Sequence, residues 1–299
     1  MGTGLTAAPR SPKSRHGQAG RALRGHRWAA LLIAAFAVAG CSSAAGSPGQ
    51  SATPGTAASQ RPDVLTAPSS QTRDSRNGGL PLAGKIVGID PGHDGRNKDD
   101  PAYVDRQIWN GREWENCDTT GTQTASGYTE AQFNFNVATD LKADLIKDGA
   151  KVVMTRPGNK GVGPCVNKRA EIINRAAADV AIDIHADGGP AWGRGFTVLE
   201  PVADGVNDKV IKSSIQFGSD VRAALLKYTS MPASDYYGHG GVIFRDDLAG
   251  LNLTTVPKIL IECGNMTNST DATLLTRPSF QQALARAFTA AIVEFLSGR

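Results

Sequence analysis

Cysteine and histidine are scarce in this chain. Its 299 residues include four cysteines and five histidines. No two cysteines form a CxxC pair, which argues against a thiolate zinc site and against thioredoxin-like chemistry. The absence of HExxH removes the common metalloprotease helix. No apolar run approaches the roughly 20 residues needed to span a bilayer, and there are no internal repeats. Aromatic residues make up only 6% and nowhere interleave with a basic stripe, so nucleic-acid binding is not expected.

Negative charge is missing from the first 40 residues, and that gap accounts for the chain's formal charge of +4. Six of the 32 basic side chains lie there without a single Asp or Glu. The remaining 26 face 28 acidic groups, so the body carries about −2. Arg21, Arg24 and Arg27 precede a short apolar run, Trp28 to Val38, that ends in "VAGC" at Cys41. Residues 1–40 therefore read as a signal peptide with a lipobox-like end, implying cleavage before Cys41 and a lipid on its sulfur. Ordinary secretion, with cleavage among residues 43–45 and no lipid, is the alternative. Either way the protein is expected in the cell envelope, on the outer face of the cytoplasmic membrane or released into the periplasm or wall. His16 and His26 belong to this leader and are set aside.

Residues 41–79 are rich in Ser, Ala, Thr, Gly, Gln and Pro, with Val64 and Leu65 their only large aliphatics. Such a segment buries too little apolar surface to offset its ordering entropy and reads as a disordered tether. Residues 80–299 are long enough for one domain with a full core. Export implies an oxidising compartment. Cys117 and Cys165, both in Gly-rich loop-like surroundings, are expected to pair. Cys263, which follows "KILIE", is expected to be a buried free thiol.

Six strands are expected at 85–90, 151–155, 179–185, 195–200, 241–244 and 258–262, several as continuous Val/Ile-rich runs. Between them lie helices. Phe133, Val137, Leu141 and Leu145 recur every four residues, with Thr129 and Gln132 as a capping box and Gly149 as a stop. Others run over about 166–177, about 208–227, and from Pro278 to near Leu296. The alternation predicts an α/β fold: a mostly parallel six-stranded sheet with helices on both faces, in a single domain.

Ligand sites in such sheets gather outside the carboxyl ends of the strands. His93 follows the first strand, in "VGIDPGHDG". His185 closes "VAIDIHAD", Glu262 closes "KILIE", and Glu130 begins the first helix. Two imidazoles and a carboxylate make a three-ligand zinc site with a position open for water. A further carboxylate can take a proton from that water.

These residues carry a resemblance. The stretch from about Gly84 to Leu296 resembles the zinc-dependent N-acetylmuramoyl-L-alanine amidases of the type-3 family, in "IVGIDPGHDG", Glu130 at a helix head, "VVMTR" followed by "NKRAEIINRAAADVAIDIHAD", and "PKILIECGNMTNSTDATLL". It looks most like the small secreted mycobacterial-type members. The resemblance implies that His93, Glu130 and His185 bind one zinc ion and that Glu262 is the general base. It also implies an αβα fold and cleavage of the amide between N-acetylmuramic acid and L-alanine in peptidoglycan and muropeptides. The alternatives are a zinc carboxypeptidase or deacetylase acting on the wall, and a non-catalytic wall-binding lipoprotein. A monomer is expected, with membrane contact only through a lipid on Cys41.

Two departures stand out: Asp183, where the family more often has Ser, and "ECGNMTN" in place of Glu-x-Gly-Phe-x-Ser-Asn. The insertion at 94–128 is long, holds Trp109, Trp114 and Cys117, and is expected to line or cover the cleft. Among other polar residues, Asp90 is a candidate to orient His93. Asn265 is a candidate peptide contact, and Arg169 and Arg175 are expected to form ion pairs on a helix surface. His239 would lie at the wrong end of the sheet unless its strand runs antiparallel.

Overall fold

The computed structural model describes residues 79–298. The expected signal peptide, Cys41 and nearly all of the tether lie outside the described residues. Among those described, no helix is long and apolar enough to cross a membrane.

Eight strands are present: β1 (Ile86–Pro91), β2 (Gln107–Trp109), β3 (Trp114–Asn116), β4 (Lys151–Met154), β5 (Val180–Asp187), β6 (Thr197–Pro201), β7 (Val242–Arg245) and β8 (Lys258–Asn265). The helices are α1 (Pro101–Val104), α2 (Glu130–Lys147), α3 (Val166–Arg175), α4 (Ile211–Tyr228), α5 (Ala249–Asn252), α6 (Ser269–Leu275) and α7 (Pro278–Ser297). All six strands expected from the sequence form the main sheet, in the order β4-β1-β5-β8-β6-β7. Strands β4, β1, β5 and β8 are mutually parallel. β6 runs antiparallel to β8, and β7 follows β6.

The chain leaves β1 for β4 on one side and returns to β5 on the other. The order therefore reverses between β1 and β5, and their carboxyl ends flank the crevice where open α/β sheets bind ligands.

The two faces of the sheet differ. Val87, Ile89, Val180, Ile182, Ile184, Ile259 and Ile261 point one way and pack on Phe133, Val137, Leu141, Phe217, Leu284 and Phe288 of α2, α4 and α7. The alternate positions are mixed: Ile86, Ala181, Leu199 and Leu260 join two small apolar clusters, and others are glycine or charged. Gly88 on β1 leaves room for Ala181 and Ile173, since a methyl there would sit 3.0 Å from Ala181 Cβ. Asp90, Asp183 and Lys258 on the same face are buried ions. The sheet is thus covered on both sides, as its Val/Ile runs suggested, but the large apolar core lies on one side, and the other combines two small apolar clusters with buried ions. The large helices obey their sequence signals: Thr129 Oγ1 accepts from the Gln132 amide at the head of α2, and Gly149 follows its end with φ +95°.

The insertion departs from expectation in part. Its residues 118–122 pass beside His93 and Glu130. Its hairpin, β2–β3, does not cover the cleft. The hairpin is tied to segments that follow β6 and β7. Asn110 donates to Asp247 O, Arg112 donates to Ala203 O and pairs with Asp204, and Glu115 accepts from Ala249 N. Because β6 and β7 run against the other strands, those segments lie at the far end of the sheet from His93. Trp109 and Trp114 pack edge to face on each other and stay exposed.

Cys117 and Cys165 form a disulfide closing 48 residues of chain, and Cys263 is free and buried. The bond joins the insertion to the N-cap of α3. Replacing Cys117 with Ser should lower stability by roughly 2–5 kcal/mol. Thermal melting in oxidising buffer checks this, and equal melting points with and without the cysteine would remove the crosslink from the stability of the fold.

Candidate active site

Where β1 ends, the chain turns at Gly92 and His93. His93 adopts φ +59°, a left-handed conformation that histidine tolerates better than branched residues. Gly92 is required by its neighbour: a methyl group there would fall onto the His185 ring. His185 projects from β5, and Glu262 is its register partner on β8. Glu130 is the first residue of α2, where the helix dipole favours a carboxylate.

These side chains converge. Glu130 Oε1 lies 2.8 Å from His185 Nδ1 and 3.2 Å from His93 Nε2. Its other oxygen accepts from Thr122 N at 2.9 Å. One donor atom from each of His93, Glu130 and His185 lies within 4.8 Å of the others, and among the described residues this is the one grouping able to hold a metal ion. Gly121 (φ +70°) lets the loop close over the group, since a Cβ there would be 2.7 Å from His93 Cδ2 and 2.8 Å from Glu130 Oε2.

The electrostatics favour a cation. Burial alone would lower both imidazoles. Glu130 and Asp118 nevertheless raise His93 to about 9, and Asp183 with Glu130 raises His185 well above its ordinary value. Burial would likewise raise Glu130, but the two imidazoles hold it well below the usual carboxylate range. The carboxylates thus demand positive charge at this point, the demand that a divalent cation meets. Two imidazole nitrogens and one carboxylate oxygen are the donor set of a catalytic zinc site.

Glu262 differs from Glu130. Burial pushes its carboxyl up to about 8, with His185 opposing and Glu130 and Asp187 adding to the rise. Its Oε2 is buried without a hydrogen-bond partner. A carboxyl poised near neutrality, with a free oxygen beside three metal-capable donors, can accept a proton and give it back.

Other expectations fare differently. Asp90 does not touch His93; it binds Thr155, Arg169 and Lys258. His93 Nδ1 is bonded instead to Asp118 Oδ1 and to Thr119 O, each at 3.1 Å. Nothing in the sequence marked Asp118 except its place beside Cys117. Arg175 pairs with Glu171 on an exposed face as expected. Arg169 does not: it is 2% exposed and donates to Pro91 O, His93 O and Asp118. Asn265 is fully buried and donates to Pro190 O and Gly193 O, shaping the loop after β5. His239 precedes β7, whose reversed direction does bring its start to the site's end of the sheet. It is exposed and outside the three-residue group. Tyr236 was not anticipated, and its hydroxyl donates to Asp187 at 2.7 Å.

The chain is also similar to known proteins. Residues 87–294 match the family model described as N-acetylmuramoyl-L-alanine amidase. An N-acetylmuramoyl-L-alanine amidase of Mycobacterium tuberculosis is 38% identical over 217 residues, 72% of this chain and 88% of the relative. The crystal structure of an N-acetylmuramyl-L-alanine amidase from Mycobacterium smegmatis superposes with a TM-score of 0.69 at 38% identity, covering 73% of this chain and 99% of that one. The apo form of the corresponding enzyme from Mycobacterium abscessus gives 0.68 at 37%, covering 72% and 100%.

Gly92 provides a local test. Gly92→Ala should force the His185 ring out of the group and weaken metal uptake at least tenfold, with little loss of secondary structure. Metal titration alongside circular dichroism checks this, and an unaltered affinity would show that the ring is not held where the backbone puts it.

Proposed function

The chain belongs to the N-acetylmuramoyl-L-alanine amidase family, and from that premise we propose that His93, Glu130 and His185 hold one zinc ion and that Glu262 is the general base. The reaction is hydrolysis of the amide joining N-acetylmuramic acid to the L-alanine of the stem peptide, so the protein is a peptidoglycan hydrolase. The observation that carries the residue assignment is the convergence of three donors within 4.8 Å beside Glu262, whose buried Oε2 has no partner.

A zinc ion bound there supplies a water of lowered pKa and polarises the scissile carbonyl. The chain's own residues do the rest. Glu262 accepts the proton of the attacking water and returns it to the departing amine, a double role suited to a carboxyl near neutrality. Glu130, fixed by the amides of Thr122 and Ala186, keeps its charge directed at the two imidazoles. Tyr236, tied to Asp187, forms a half-buried wall on the β5 side.

Peptidoglycan and muropeptides are the substrates, and the polymer lies outside the cytoplasmic membrane. Export by residues 1–40, with a lipid on Cys41 as anchor, would present the domain on that side.

The test is incubation of the protein with muramyl dipeptide and longer wall fragments, with products identified by mass. Release of an L-Ala-led peptide should stop with a chelator and return with zinc. Glu262→Gln should keep the metal and lose turnover by roughly 10²–10⁴-fold, whereas His93→Ala should lose both. Full activity in Glu262→Gln would mean that another group is the base.

A further inference from the structure

Behind the three donors lies a chain of buried charges. His93 Nδ1 is 3.1 Å from Asp118 Oδ1, and Asp118 Oδ2 is 3.0 Å from Arg169 Nη2. Arg169 Nη1 is 3.3 Å from Asp90 Oδ1, and Asp90 Oδ2 accepts from Lys258 Nζ at 2.7 Å. Lys258 Nζ is 3.4 Å from Asp183 Oδ2, and Asp183 Oδ1 is 3.3 Å from His185 Nε2. The charges alternate without a break from Asp118 to Asp183, and all five charged members are buried, while the imidazoles at either end are partly exposed. We infer that Asp118 and Asp183 are positioning residues for the two imidazoles, braced from behind by Arg169, Asp90 and Lys258, so that the metal affinity of the site is set partly by side chains that touch no metal. The inference rests on the zinc reading given above.

Tautomers carry the argument. The nearest neighbours of His93 Nδ1 are Asp118 Oδ1 and Thr119 O, two acceptors at 3.1 Å, with the Thr119 hydroxyl, able to donate or accept, at 3.3 Å. The two closer acceptors favour the proton on Nδ1, which leaves the Nε2 lone pair facing Glu130 and the metal position. Arg169 Nη2 donates to both Asp118 Oδ2 and His93 O, clamping the carboxylate and the ligand's own backbone with one group.

On the other side, His185 Nδ1 faces Glu130. If Nδ1 binds metal, the remaining proton belongs on Nε2, and the atom facing Nε2 is Asp183 Oδ1. That oxygen is buried and lacks a hydrogen-bond partner, so a metal-bound His185 would satisfy it. A carboxylate behind a ligating imidazole fixes ring and tautomer and raises ligand basicity; removing one typically costs 10–100-fold in metal affinity.

Asp118 comes from the 94–128 insertion, and Asp183 stands where the resembled family more often has serine. Two aspartates, 90 and 183, are adjacent in register across β1 and β5. Lys258, reaching both, is what allows two like charges to lie side by side.

The experiment is a zinc competition titration on the full-length wild type, Asp118→Asn and Asp183→Asn, with melting curves of the metal-free proteins and histidine ¹⁵N spectra of the zinc-loaded wild type. Expected are zinc dissociation constants raised roughly 10–100-fold in each variant, near-normal melting without metal, and recovery of turnover at saturating zinc. The spectra should show Nδ1–H on His93 and Nε2–H on His185. Unchanged zinc affinity in both variants overturns this inference while leaving the metal site intact. So does the opposite tautomer on either ring, a result that requires no variant to fold. Failure of the wild type to bind one equivalent of zinc overturns the inference together with the metal assignment it rests on.

Discussion

A carboxylate sealed inside a protein needs a cation sealed beside it, and Asp90 imposes that need on the face of this sheet opposite the large apolar core. Burial would raise its pKa, but Lys258 and Arg169 hold it well below the usual carboxylate range. Removing one partner of such a pair costs on the order of 3–5 kcal/mol, because the other charge is left unpaired. The constraint reaches several elements at once. It fixes the facing of β8 through Lys258 and the seating of α3 through Arg169. It also requires α5 to approach closely, with Gly250 packed over Asp183 Oδ2 and Lys258 Nζ. The opposite face, filled by aliphatic side chains, supplies cohesion without dictating any of these choices.

That division of labour explains where the chemistry sits. Strands β1 and β5 diverge in their connections, so their carboxyl ends open toward solvent together, and each carries a histidine near that end: His93 just past β1 and His185 near the end of β5. The third donor arrives from the apolar face, at the first turn of α2. The site is therefore the point at which the two layers meet, with Glu130 contributed by one and both imidazoles backed by the other. Arg156, fully buried, helps seal this junction by donating to Pro91 O, Gly92 O and Ala131 O.

Much of this was legible in the sequence because it is written locally. Apolar runs, several of them continuous in Val and Ile, marked the six main strands, whose observed limits differ by at most three residues. The four-residue recurrence of Phe133, Val137, Leu141 and Leu145 marked α2. His93, Glu130, His185 and Glu262 stood at element ends, where ligand groups belong. What escaped was whatever depended on partners distant in sequence. Arg169 looked like a surface group because helix periodicity cannot reveal that its side chain enters a charged interior. Asp118 has no local signature, since its meaning comes from His93, 25 positions away. The hairpin's docking at the far end followed from the reversal of β6 and β7, and strand direction at a sheet edge is not encoded in either strand's own residues.

The insertion now has a physical rationale that does not involve covering the cleft. A segment bringing one acceptor to His93 must hold it to within a few tenths of an ångström, which an untethered loop of this length would not do. Three restraints act on the few residues around Asp118. The disulfide binds Cys117 to the head of α3, the Val166 amide donates to Cys117 O, and Arg169, one turn along the same helix, grips the Asp118 carboxylate. All three come from α3, so the acceptor and the helix move as one body. That body is in turn bonded to the backbone of Pro91 and His93 by the same arginine. The hairpin beyond, bonded at the far end of the sheet, restrains the other arm of the insertion. A long excursion of chain thereby ends in a short, rigid contact with one imidazole nitrogen.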